Sequence, residues 1–241
     1  MRKILLLGIF ALVFSALVFA AAVATPIGTY DSETGQVTIT MKPGWNIVPL
    51  GASETAPGSC GIKAAWIWSP TAKKYMGGSP EGGAMPQEDG EKLEEDMENG
   101  YLYAQSYSTS AGGMWVYTTN ECTLQKTFWT SVSNENDQIA FLKLAKGWNF
   151  VSISPWMGGK KISEFLGDCT LSKITAWDAT MQRWGNGASD TLYMAEMAQK
   201  INNGEDEPLQ EAMSGVVFLF KVPEECSLGL TGAMEPPVLP D

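Results

Sequence analysis

Histidine is absent from all 241 residues. Without an imidazole the chain has no Ser-His-Asp or Cys-His nucleophile pair, no histidine general base and no histidine metal ligand. Cysteine is scarce: there are four, and none stands in the Cys-x-x-Cys spacing that would build a zinc site without histidine. No metal or other cofactor is therefore expected. Positive charge is also in short supply, with 16 Lys and Arg against 27 Asp and Glu and a formal charge of -11 at pH 7. A surface of that sign repels a phosphate backbone, which excludes nucleic acid as a partner. The end of the chain, residues 231–241, lacks any hydrophobic anchor and reads as a Pro-rich extended tail through Pro236-Pro237 and Pro240.

The other terminus is apolar. Arg2 and Lys3 precede a hydrophobic run from Ile4, and Ala22-Val23-Ala24 offers a small-x-small cleavage site, so residues 1–24 read as a secretory signal peptide. An uncleaved anchor is the competing reading, since Ile4 to Ala24 is long enough to cross a bilayer. In that case the membrane is touched through the N-terminal segment alone. No cysteine follows the run, which argues against a lipoprotein. The expected location is secreted, extracellular or the cell envelope.

The remaining chain repeats itself. Gly44-Trp45-Asn46-Ile47-Val48 returns as Gly147-Trp148-Asn149-Phe150-Val151, and the alternating apolar positions Val37, Ile39 and Met41 return as Ala140, Leu142 and Leu144. Downstream, Cys60 and Ala65-Trp66 are matched with Cys169 and Ala176-Trp177, and Gly113-Met114-Trp115 with Gly215-Val216-Val217. The repeat predicts two homologous modules, residues 26–124 and 125–230. Within them, short apolar segments bounded by Gly and Pro predict strands at Gln36 to Met41, Trp45 to Leu50, Lys63 to Trp68, Tyr101 to Tyr107 and Met114 to Thr118. In the second module, strands are predicted at Phe128 to Val132, Ile139 to Leu144, Trp148 to Ile153, Lys173 to Asp178 and Val216 to Val222. Spacing of four between Leu93 and Met97, and between Tyr193, Met197 and Ile201, predicts helices over Gln87 to Asn99 and Thr191 to Ile201. A shorter one is expected over Lys161 to Leu166. The fold class is thus mainly β (α+β): two tandem β-sandwich-like modules, each with a short helix. Two cysteines per module in an exported chain predict disulfides. Four cysteines allow three connectivities, and a module complete in itself favours Cys60 with Cys122 and Cys169 with Cys226.

This architecture resembles the Gly-Trp-Asn-Leu-Ile/Val type β-rich repeat of secreted and cell-surface proteins in bacteria and archaea. In that pattern a Gly-Trp-Asn strand is followed by a Trp-bearing strand, a short helix and a Gly-Tyr-Trp-Val-like strand. The corresponding residues are Gly44 to Val48, Trp66 to Trp68 and Gly113 to Val116, then Gly147 to Val151, Trp177 and Gly215 to Phe218, with Val217 where Trp115 sits. The resemblance implies an extracellular, non-catalytic module.

Two kinds of residue carry the remaining functional argument. Carboxylates can cleave glycosides without histidine, but the runs Glu94-Glu95-Asp96 and Glu205-Asp206-Glu207 read as solvated faces, so glycoside hydrolysis is a minor alternative. Nine tryptophans are the sharper signal, because an aromatic ring beside polar residues can stack on a sugar as well as fill a core. Trp45 and Trp148 read as strand-packing residues. Trp156 and Trp184 lie in Gly-rich or polar surroundings, and Tyr75 is placed equivalently to Trp184. With Trp68 these three form the candidate ligand-binding set. The expected function is a non-catalytic structural or interaction protein of the cell surface, meeting an envelope polysaccharide or a surface protein. Carbohydrate binding through exposed aromatics is the alternative.

Overall fold

The computed structural model describes residues 28–50, 52, 57–78, 84–102, 112–127, 142–185, 191–210 and 213–229. The predicted signal peptide and C-terminal tail, the strand predicted at Phe128 to Val132, most of that at Tyr101 to Tyr107 and the start of that at Ile139 to Leu144 lie outside them.

Strands β1 (Gly28–Asp31) and β2 (Gln36–Met41) form a hairpin. Its turn is closed by Asp31, whose carboxylate accepts the N–H groups of Glu33 and Thr34. Along β2, Val37, Ile39 and Met41 are fully buried, as the alternation predicts. Strand β3 (Gly44–Pro49) follows, then β4 (Ile62–Ser69), β5 (Lys74–Gly78), helix α1 (Gln87–Glu98), β6 (Gly113–Thr118) and β7 (Cys122–Thr127). Two antiparallel sheets result, ordered β1-β2-β7 and β3-β6-β4-β5. Their facing side chains, among them Val37, Ile39 and Leu124 from one and Val48, Val116 and Met76 from the other, make one buried cluster. That is sandwich packing.

The rest of the chain contributes β8 (Lys143–Leu144), β9 (Gly147–Ser152), β10 (Lys173–Asp178), β11 (Arg183–Trp184), α2 (Thr191–Asn202), β12 (Val217–Val222) and β13 (Cys226–Ser227). The predicted helix at Lys161 to Leu166 is one 3-10 turn, Ile162–Glu164. These strands form a sheet ordered β9-β12-β10-β11 and a two-stranded ribbon of β8 with β13. A second buried cluster, drawn wholly from residues 142–228, packs α2 through Met197, Ala198 and Ile201 against this sheet. The fold is mainly β and antiparallel, with two α-helices among the described residues. Disulfides join Cys60 to Cys122 and Cys169 to Cys226, with Cα separations of 5.2 and 5.1 Å. Two such bridges fit an oxidising environment. No helix among the described residues is long and apolar enough to cross a membrane.

Strand register revises two sequence matches. In the four-stranded sheets Ile47 lies opposite Trp115 and Trp115 opposite Trp66, whereas Phe150 lies opposite Leu219 and Leu219 opposite Thr175. Trp66 therefore corresponds to Thr175, Trp68 to Trp177, and Trp115 to Leu219 rather than Val217. The shared Ala-Trp dipeptide misled by two residues, a slip that keeps every side chain on its own face. The hairpin loops settle the alignment: Lys73 and Gln182, at matching places, have φ of 55° and 49°.

The acidic runs are also not uniformly solvated. Helical period puts Asp96 beside Leu93 on the inner side of α1, and it is 1% exposed. It accepts hydrogen bonds from Ser69 Oγ at 2.5 Å and from Thr71 Oγ1, pinning the helix to the β4–β5 turn. Asp206 is likewise buried, and accepts from the Ser163 N–H at 3.2 Å.

The stretch after α1 ties the first half, residues 28–127, to the second, residues 142–229. Lys143 N–H donates to Gly100 O at 2.8 Å, and the Tyr101 hydroxyl donates to the Glu225 carboxylate at 2.8 Å. Desolvation, reinforced by that hydrogen bond, pushes the Tyr101 phenol up to about 12. The neutral phenol is the form the fold favours, so this contribution is complete below the unfolded value near pH ~10 and is lost as pH rises toward 12. Thermal midpoints should fall across that window and fall less steeply in Tyr101→Phe. Parallel profiles for the two proteins would show that Tyr101 contributes nothing there.

Candidate functional site

Both Gly-Trp-Asn strands are built by the same local device. Gly44 and Gly147 have φ of 106° and 113°, a backbone region that disfavours any side chain. The asparagine that follows each Trp is buried and locks the turn. Asn46 accepts from Lys42 N–H at 2.8 Å and donates to Lys42 O and Gly44 O, while Asn149 accepts from Ala145 N–H at 2.9 Å and donates to Ala145 O and Gly147 O. The intervening Trp is thereby fixed at the edge of its sheet, with its backbone polar groups facing outward.

Those edges meet. Trp68 Nε1 donates to Trp148 O at 2.7 Å, and Trp177 Nε1 donates to Trp45 O at 2.8 Å. Because Trp68 corresponds to Trp177 and Trp45 to Trp148, the two bonds are reciprocal. They define a pseudo-two-fold contact between the faces of the two four-stranded sheets. Ile47, Phe150, Val217 and Leu219 are buried at its centre. Packing there is close: a Cβ placed on Gly113 would come within 2.5 Å of Val217 Cγ1.

Aromatic rings fill the rest of the seam edge to face. Trp115 approaches Trp177 at 5.0 Å and 75° and Trp184 at 5.7 Å and 79°, and Trp177 meets Trp184 at 5.2 Å and 81°. On the other side of the pseudo-axis Trp68 and Tyr75 are 4.9 Å apart and tilted by 60°. Such contacts each contribute about 0.5 to 1.5 kcal/mol beyond area burial. The rings interlock; they do not form one flat platform. Of the candidate ligand-binding residues, Trp68, Tyr75 and Trp184 are brought to this seam. Trp68 and Trp184 are half-buried and Tyr75 is 45% exposed. Trp156 lies in the 3-10 turn Pro155–Met157, and its side chain is outside the described residues.

Two open clefts flank the seam in corresponding places. One, of 450 Å³, is lined by Trp45, Trp66, Tyr75, Trp115 and Trp177. The other, of 340 Å³, has at the corresponding positions Trp148, Thr175, Trp184, Leu219 and Trp68, and adds Tyr75, Phe150, Lys173 and Met194. It continues toward a 580 Å³ cleft at Gly147 and Trp148. Among the described residues no Asp or Glu lines any of the three. Among the described residues no cluster of three or more Cys, Asp or Glu side chains could hold a metal ion.

Sequence reasoning missed the part played by four residues. Trp115 was read as a strand residue, yet its ring packs edge to face against both Trp177 and Trp184. Gln182 accepts from the Trp45 N–H at 2.8 Å and donates to Trp45 O at 2.9 Å, closing the cleft edge beside Gly44. Asn46 and Asn149 were visible as a landmark, and a buried polar residue kept at the same place in both copies was the available signal. Comparison of the chain with family models, with curated proteins and with solved structures gives no match.

Proposed function

We propose that the chain is an exported, non-catalytic interaction protein, made of two homologous modules that pack through the aromatic seam and act by contact. The observation that carries this reading is the 450 Å³ cleft, walled by four tryptophans and a tyrosine and, among the described residues, free of carboxylates. A concave apolar site with few polar groups suits binding, whereas glycoside cleavage requires an acid and a second carboxylate facing the bond. The leader at residues 1–24 and the disulfides support action outside the cell. Envelope or extracellular polysaccharide is the partner class best matched to walls of indole. Sugar rings stack on such walls, and the perpendicular rings here would grip one residue of a chain rather than support a long flat run.

Trp66 tests this reading because it lines the cleft without serving the reciprocal hydrogen bonds. The disulfide-bonded protein should be retained on an insoluble polysaccharide such as cellulose or chitin, or on purified envelope. Trp66→Ala should lose at least tenfold in retention at an unchanged thermal midpoint. Retention equal to that of the wild type would show that the cleft is not the contact surface.

A further inference from the structure

The pseudo-two-fold is broken at one corner, and the break has a chemical meaning. Beside Trp45 the corner is filled from within: Gln182 Oε1 accepts the Trp45 N–H, Gln182 Nε2 donates to Trp45 O, and a Cβ on Gly44 would lie 2.4 Å from that Oε1. Beside Trp148 the corresponding residue is Lys73, which has no acceptor to offer. A Cβ on Gly147 would meet nothing within 4 Å, and the corner opens into the 580 Å³ cleft. Trp148 occupies the same edge position as Trp45, with its carbonyl turned outward to Trp68 Nε1. Its N–H therefore faces the open corner, where among the described residues no side chain accepts from it.

This corner is basic in an acidic protein. Lys73, Lys146 and Lys221 line it, and Lys173 lies directly opposite Lys221 across β10 and β12. Lys221 Nζ is 5.8 Å from the centroid of the Trp148 ring, while Lys146 is paired with Glu224 at 3.2 Å on the exposed rim. Among the described residues Lys73, Lys173 and Lys221 have no carboxylate partner. Like charges directly opposed on one sheet face are unfavourable, and a bound anion relieves that repulsion.

We propose that this corner binds the carboxylate of a uronate unit in an anionic polysaccharide. One carboxylate oxygen takes the place that Gln182 Oε1 holds at Trp45, accepting the Trp148 N–H. The lysine ammonium groups neutralise the charge, and the pyranose lies against the indole of Trp148. The aromatic wall beside the cations favours a sugar acid over an acidic peptide, whose carboxylates are carried on flexible chains with no ring to stack. This assignment rests on the reading of the chain as an interaction protein and narrows its partner.

Calorimetric titration of the disulfide-bonded protein with trigalacturonate, its methyl ester and hexaglutamate tests it. Trigalacturonate should bind, with the ester at least tenfold weaker. Lys173→Gln/Lys221→Gln should weaken binding at least tenfold. Lys73→Gln should do the same at an unchanged thermal midpoint, because it supplies from within the acceptor that the ligand would provide. Lys200→Gln, which removes equal charge from the exposed end of α2, should bind as the wild type does. Equal affinity for acid and ester, hexaglutamate binding as tight as the uronate, an indifferent Lys73→Gln, or no binding would each overturn the proposal. Trp66-dependent retention on neutral polysaccharide without uronate binding would end this assignment and leave the interaction reading standing.

Discussion

Asn149→Ala should lower the unfolding free energy by about 3 to 5 kcal/mol, read by urea denaturation with tryptophan fluorescence. The side chain is 2% exposed and satisfies three backbone groups: the Ala145 N–H, Ala145 O and Gly147 O. Each buried group left without a partner costs about 1 to 3 kcal/mol. Asn149→Asp is the more telling variant. A carboxylate can still accept from Ala145 N–H, but it turns an acceptor toward two carbonyl oxygens. The folded state then favours the protonated acid and holds its carboxyl above the ordinary range near ~4, so part of the lost stability should return as pH falls through that raised value, the return being complete near pH ~4. A loss below about 1 kcal/mol for the alanine variant would mean that the turn holds its shape through Gly147 and the strand ladder alone. The same substitutions at Asn46 should act on the first half.

What the sequence made legible was local. The bounds of β2 and β10 follow from alternation and flanking turns, both long helices from spacing four, and both disulfides from position within the repeat. Features that depend on distant partners were not legible. The carbonyl of Trp45 finds Trp177 Nε1 at a separation of 132 residues, and no periodicity encodes such a contact. Trp68, Tyr75 and Trp184 stood out as aromatic residues near polar ones. That pattern did not show that the three converge on one seam, nor that their rings would stand edge to face. Asp96 shows the opposite failure. Charge composition placed it in water, while its position one turn after Leu93 carried it beneath the helix to Ser69 and Thr71. Period outweighed polarity because two hydroxyls were waiting to donate to it. The Lys73 and Gln182 pair became informative only after strand register aligned the two hairpins.

Removing the Cys169–Cys226 bridge by paired serine substitution should destabilise the second half by about 4 kcal/mol, since the crosslink restrains an unfolded loop with a sequence separation of 57. The Cys60–Cys122 bridge, at a separation of 62, should be worth nearly the same. The form of the transition carries more than its magnitude. The buried clusters on either side of the seam draw on residues 37–124 and 142–228 separately, and neither disulfide crosses between them. If the two halves are modules able to hold their own folds, the Cys169→Ser/Cys226→Ser variant should unfold in two steps. The second half should go first, and the disulfide-intact first half should follow near its original midpoint. The seam works against that separation, because unfolding one sheet strips the other of its aromatic partners and of both reciprocal Trp hydrogen bonds. The remaining step should therefore lie somewhat below the wild-type midpoint, and Trp115→Ala, which removes the ring packed against both Trp177 and Trp184, should bring the two steps further apart. A single cooperative transition displaced by the full amount in either bridge variant would show instead that the seam makes the halves one folding unit.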